Sequence, residues 1–208
     1  MISSEITRAL SGIPQGTHII LLYDSPERKR EILFSHLAMG AKDSKVAYVC
    51  SEETPDKIEE EMREFGMNVK QLKASGRLTI LDHDKVYMNG DKVDVPQAIG
   101  HLSYLAWSCS KENLDGGLRL AEEMSCFVRL KRLNDLTFYE NRLHRTFFFP
   151  VTGICAYSVT ELQATGQLQT LLALLHSRDR LILTGPKGIS VLEPVQARNP
   201  SEKTITAA

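Results

Sequence analysis

A mainly parallel β-sheet with helices on both faces is the fold this 208-residue sequence predicts. Three observations predict it. Short apolar, β-branched runs recur along the chain, with helix-length segments between most of them. Two of those segments open on a hydroxyl residue followed by proline, a helix-start signal. The composition, 42% apolar and 25% charged, is that of a chain that buries a substantial core.

The elements follow in order. HIILLY (18–23) is apolar throughout, as a strand covered on both faces should be. The helix after it takes Ser25 as N-cap, Pro26 at its first position and Glu27 in the first turn, where a carboxylate suits the dipole. Leu33, Leu37 and Gly40 fall on one face. KVAYVC (45–50) is the second strand. TPDKIEEEMREFGM (54–67) repeats the Thr-Pro start, carries Ile58, Met62 and Phe65 as its stripe, and ends at Gly66. RLTILD (77–82) is a third strand. A helix over 95–109 turns Ile99, Leu102, Leu105 and Ala106 inward. GLRLAEEM (117–124) and VTGICAY (151–157) are the fourth and fifth strands. An amphipathic helix spans 161–176. RLILTG (180–185) and ISVLEP (189–194) pair around Pro186-Lys187-Gly188. Residues 1–195 read as one domain and 196–208 as a flexible tail.

The bulk properties exclude several functions. A formal net charge of −1 provides no global basic field for nucleic acid. No apolar run reaches the roughly 18 residues of a membrane span, and the N-terminus lacks a signal-peptide pattern. Cys50, Cys109, Cys126 and Cys155 are scattered in apolar settings and form no C-x-x-C pair. They read as reduced thiols in a cytoplasmic protein with no structural metal. No G-x-S-x-G and no cysteine in a catalytic setting appears, so the expectation is a non-enzyme without a cofactor.

The turn after the first strand is the informative one. A phosphate-binding loop reads G-x-x-x-x-G-K-[ST]. Anchored on Gly40-Ala41-Lys42, residues 21–53 resemble the first βαβ unit of RecA-type ATPases of the KaiC-like branch. Tyr23 and Arg28 then stand at the glycine positions, Lys29 at the lysine, and Arg30 at the Ser/Thr. Glycines allow the backbone to form a nest of N–H donors, and the hydroxyl holds Mg²⁺. Only Lys29 survives. Glu52 and Glu53, after the second strand, resemble the pair in which a carboxylate activates water. Lys29, Glu52 and Glu53 therefore mark a degenerate nucleotide site.

Further along, GTHIILLYDSPERKREIL, GRLTILDHDKVYMNGDKVD, GGLRLAEEMSCF, FYENRLH, TGICAYS and LLALLHSRDRLILTG occur in that order. Together they resemble the methanogen/methylotroph sensory-domain family, MEDS, a KaiC-related group lacking the Walker motifs, over roughly residues 15–185. The resemblance implies a RecA/KaiC-like fold and a cytoplasmic sensor of a small organic ligand, a hydrocarbon derivative. It also implies output through a histidine kinase or transcription regulator, here a separate partner protein. Side-by-side association, common among RecA-like domains, leaves a homo-oligomer open. The chain departs from the family at Ser158, where an Asp is usual after the Cys-x-Tyr of Cys155–Tyr157, and at Ser177, where a Pro follows the late histidine.

Candidate ligand residues follow from position and type. His18 opens the first strand, where the family has a histidine. Glu122 and Glu123 end the fourth strand, where ligands of such sheets sit. Glu123 is the stronger candidate, with Arg119 four residues back as its expected ion partner. Tyr139, Glu140 and Arg142 form a polar cluster, with Tyr139 and Arg142 expected to share one helix face and Glu140 and His144 another. The expected pocket gathers Tyr23, Glu123, Tyr139, Glu140 and Arg142, with His18 as a further ligand residue. Asp82, His83 and Asp84 read as an acidic strand-end loop. Two rivals to a sensory module remain open: a residual nucleotide binder or slow ATPase using Lys29, and a subunit that only makes protein contacts.

Overall fold

The computed structural model describes residues 3–112, 114–146, 150–164, 170, 174–175 and 178–193, with backbone only at 144–146. The chain begins with α1 (Ser4–Leu10), β1 (His18–Tyr23), α2 (Pro26–Gly40) and β2 (Lys45–Cys50). Next come α3 (Pro55–Glu64), α4 (Val69–Ala74), β3 (Leu78–Asp82), α5 (His83–Tyr87) and a two-residue-strand hairpin, β4 (Met88–Asn89) with β5 (Lys92–Val93). Then follow α6 (Val95–Lys111), β6 (Leu118–Glu123), α7 (Ser125–Arg129), α8 (Leu133–Thr146), β7 (Val151–Ser158), α9 (Val159–Ala164), β8 (Arg180–Gly185) and β9 (Gly188–Leu192).

Seven strands form one sheet in the order β3-β2-β6-β7-β1-β8-β9. Every pairing is parallel except β8 with β9. The predicted mainly parallel α/β architecture is therefore the observed one. Both proline-initiated helices begin at the expected caps: Ser25 Oγ accepts from the Arg28 amide at 3.3 Å and Thr54 Oγ1 from the Lys57 amide at 3.3 Å. Several short elements were not anticipated: α1, α4, α7 and α5. The last replaces the acidic loop, because the Asp82 carboxylate accepts from the Asp84 amide and caps a single helical turn. The expected helix over 161–176 is seen from Val159 to Ala164; most of its remainder, and the expected tail, lie outside the described residues.

Alternation along the strands sorts the core into two layers. Ile19, Leu21 and Tyr23 of β1 pack with Tyr48, Ala121, Ile154 and helices α2 and α3 on one face. Ile20, Leu22, Leu120, Cys155 and Tyr157 pack with α6, α7 and α8 on the other. Leu33, Leu37, Ile58 and Met62 are buried as their spacing requires. His36, under β7, bonds the Thr152 carbonyl, and burial together with the Arg119 charge pushes its pKa down to about 3. It is a neutral core histidine.

All four cysteines are free and buried. Burial pushes the Cys50 and Cys126 thiols up to about 12. An alkylating reagent is expected to label the folded protein slowly and all four thiols at once in denaturant without reductant. A pair that stays protected in denaturant would contradict this reading.

Candidate functional site

The last two residues of β6 organise the polar interior. Glu122 and Glu123 are adjacent, so they project to opposite faces of the sheet. Each is fully buried, and each anchors a separate network.

On the α2 face, Lys29 lies one turn into α2 and is 2% exposed. Its ammonium bonds Glu123 Oε1 at 2.6 Å and Glu52 Oε2 at 2.7 Å, and lies 5.6 Å from the centre of the Tyr23 ring. Glu123 Oε1 also accepts from Tyr48 Oη at 2.6 Å, and its Oε2 accepts the amides of Ser51 and Glu52 at 2.7 and 2.8 Å. Glu52 Oε1 accepts from the Tyr23 hydroxyl and from Ser125 Oγ, the latter at 2.8 Å. Arg129 donates to the Ser51 carbonyl. Every polar atom of the Glu123 carboxylate is matched.

Burial alone would lower the pKa of Lys29, but the charges of Glu123 and Glu52, with their hydrogen bonds, hold it above its usual value. Burial alone would raise Glu52, but the Lys29 charge and the donors from Lys29, Tyr23 and Ser125 hold it below the usual carboxylate range. Burial and the Glu52 charge raise the Tyr23 hydroxyl, which stays a donor. The pH dependence follows with opposite signs on the two flanks. The Glu52 contribution is present above its unfolded value near about 4.3 and is lost as pH falls through the lower folded value; that of Lys29 is present below about 10.4 and is lost as pH rises through the higher folded value. Melting temperature is therefore expected to hold steady between these limits and to fall on the acid side. Glu52→Gln should flatten that acid limb, and parallel acid limbs in the two proteins would show that Glu52 does not carry it.

On the opposite face, Glu122 Oε1 accepts from the hydroxyls of Tyr87 and Tyr139, both at 2.7 Å, and Oε2 lies 3.4 Å from Cys155 Sγ. Burial raises the pKa of Glu122, only partly offset by those hydroxyls. Glu140, from α8, accepts from Tyr157 Oη, and its Oε2 lies 3.0 Å from His18 Nε2. Phe127 packs against Tyr87 and Tyr139 with ring centres 5.1 and 6.0 Å apart.

The expected pocket is thus divided by the sheet. Tyr23 and Glu123 meet Lys29 and Glu52 on one face; His18, Tyr139 and Glu140 lie on the other. Arg142 joins neither. It is exposed, its guanidinium 5.3 Å from the Phe138 ring, because three residues along a helix leave an offset of about 60°, enough to leave the stripe of Leu136, Tyr139, Glu140 and Leu143. The expectation that Tyr139 and Arg142 share a face is corrected accordingly. The His144 side chain falls outside the described residues. Glu53 is exposed and outside the network. Arg119 does not pair with Glu123: four strand residues separate them by about 13 Å, and its side chain packs over Gly40, where even a methyl group would lie 2.0 Å from Arg119 Cδ.

Sequence reasoning missed Tyr48, Tyr87, Tyr157, Ser125 and Cys155. Tyr48 and Tyr157 carried a signal, since a tyrosine in an apolar strand needs a partner for its hydroxyl. At the carboxyl edge, Ser51, Cys126 and Arg129 line a cleft of about 660 Å³ with His83, Asp84 and Met88. Its wall is the loop that Glu123 holds.

Sheet order, strand direction and the placement of Lys29 on α2, the helix after β1, define a RecA/KaiC-like α/β domain. A solved structure supports that class: a KaiC-like protein, PH0186, from the hyperthermophilic archaeon Pyrococcus horikoshii OT3 superposes with a TM-score of 0.64 at 16% identity, covering 92% of this chain and 98% of that one. Residues 17–174 match the MEDS family, the MEthanogen/methylotroph, DcmR Sensory domain, and the chain belongs to that family. No curated protein matches the sequence. Among the described residues, no helix is long and apolar enough to cross a membrane.

Proposed function

We propose that this chain is a non-catalytic sensory module that binds a small organic molecule in the cleft at the carboxyl edge and signals to a separate protein. Membership of a sensory-domain family supports the regulatory part. The observation that carries the rest is the engagement of Lys29 by Glu52 and Glu123. A lysine that must meet a phosphate cannot also neutralise two carboxylates at 2.6 and 2.7 Å. The residues do not fit a nucleotide triphosphate: the turn over 23–30 has no glycine, Pro26 lacks an amide donor, and Arg30 has no hydroxyl for Mg²⁺.

The cleft adjoins this network through Ser51, whose amide bonds Glu123 and whose carbonyl accepts from Arg129. A ligand contacting Arg129 therefore acts on the same loop that positions Glu52. Thermal shift tests the proposal, with short-chain alcohols, amines and halocarbons in one arm and ATP-Mg²⁺ in the other. A ligand at a hundredfold excess over its Kd adds about 2.7 kcal/mol. The expected result is stabilisation by a member of the organic panel and none by ATP-Mg²⁺. Stabilisation by ATP-Mg²⁺ alone would replace this reading with a nucleotide binder; a shift with neither would favour a subunit that works by protein contacts.

A further inference from the structure

We infer that His18, Glu140 and Cys155 form a buried site for a divalent transition-metal ion of the zinc type. The inference goes beyond the sensory reading and stands whatever occupies the cleft.

The three residues come from three elements, β1, α8 and β7. One imidazole nitrogen, one carboxylate oxygen and one sulfur lie within 4.8 Å of one another. Bonds of about 2.0–2.3 Å to such ligands place the ligand atoms roughly 3.3–3.8 Å apart, so small side-chain movements close the set. His18 and Cys155 lie on the same face of the sheet, on paired parallel strands, and Glu140 reaches them from the helix above. Gly153 is the β7 residue opposite His18 and places no side chain there. The set is fully enclosed, at 0–1% exposure.

Two further observations point to a cation. The first is Glu140 Oε2, which is buried and lacks an aligned hydrogen bond among the described residues, although it lies 3.0 Å from His18 Nε2. Its sister oxygen is held by Tyr157 Oη, so the carboxylate is oriented by a neighbour in the way metal-binding carboxylates usually are. The second is a comparison of the two faces. On the α2 face, the buried Glu123 and the partly buried Glu52 are balanced by Lys29. On the other, Glu122 and Glu140 are both fully buried, and their partners among the described residues are three tyrosine hydroxyls, one thiol and one imidazole, with no lysine or arginine. For Glu140 the one basic neighbour among the described residues is the His18 imidazole, at 3.0 Å, and a buried carboxylate without a fixed cation is disfavoured. A divalent ion bound by the Cys155 thiolate and the Glu140 carboxylate would balance charge there, with the thiol proton released on binding. Mixed imidazole, carboxylate and thiolate donors suit zinc or cobalt and not magnesium or calcium.

The test is the full chain purified from cells grown with cobalt(II) in zinc-depleted medium. The expected result is about one cobalt per folded chain, a thiolate-to-cobalt charge-transfer band, and loss of that band in Cys155→Ser. Glu140→Gln should weaken binding by more than the roughly 10–100-fold that outer partners usually cost. A folded wild-type chain without stoichiometric metal would overturn the site. So would cobalt bound without the charge-transfer band, which would place it at the half-exposed Asp82, His83 and Asp84 group. Should Cys155→Ser fail to fold, X-ray absorption on the wild type decides: a sulfur neighbour at about 2.3 Å supports the site, and only nitrogen and oxygen neighbours refute it.

Discussion

Replacing Lys29 with alanine is expected to cost about 3–5 kcal/mol of stability, a loss of more than a hundredfold in the folded-to-unfolded ratio, because it leaves a buried carboxylate without its counter-charge. Glu123 stays fully buried, with a tyrosine hydroxyl and two amides still pointed at it, and among the described residues Lys29 is its one ion-pair partner. The reverse change, Glu123→Ala, should also be strongly destabilising. It leaves the buried ammonium with Glu52 alone and releases the amides of Ser51 and Glu52, which hold the loop between β2 and α3. The double variant Lys29→Met/Glu123→Gln should lose much less than the sum. Its amide oxygen can still accept from the two backbone amides, and its NH₂ can turn toward Tyr48. Urea denaturation of Lys29→Met, Glu123→Gln and their double variant gives the coupling directly. Strict additivity would show that the lysine and the glutamate do not act as a pair.

The second large effect lies on the opposite face. Phe127→Ala is expected to cost about 3–5 kcal/mol, the usual range for truncating a buried phenyl ring. Phe127 is 1% exposed and packs against both Tyr87 and Tyr139, the two donors to Glu122. Its removal should therefore also loosen the hydroxyls that hold the carboxylate. Phe127→Leu, which keeps most of the volume, should lose well under half as much. Equal losses in the two variants would point to the ring stacking itself rather than to the volume it fills.

The sequence made the scaffold readable because its signals were local. Ser25-Pro26 and Thr54-Pro55 start helices through contacts three residues away, and HIILLY or KVAYVC cannot be exposed on either face. Glu122 and Glu123 show where this stops. A period of two says that neighbours on a strand diverge, yet it does not say which helices wait on each side. Glu123 was grouped with Tyr139 and Glu140, and the sheet lies between them. Lys29, Glu52 and Glu123 are separated by 23 and 71 residues, and only the strand order β2-β6-β7-β1 brings them together. The local rule also misled at Arg119, where strand rise carries a same-face neighbour out of reach. At Asp82 it was applied too coarsely, since an acidic strand end is also a helix cap.

The central proposal is that Lys29 serves internal charge balance and not a nucleotide phosphate. Calorimetric titration of the intact chain with ATP-Mg²⁺ tests it most directly. The account predicts no binding heat below millimolar nucleotide, whereas a micromolar Kd in the wild-type protein would contradict it.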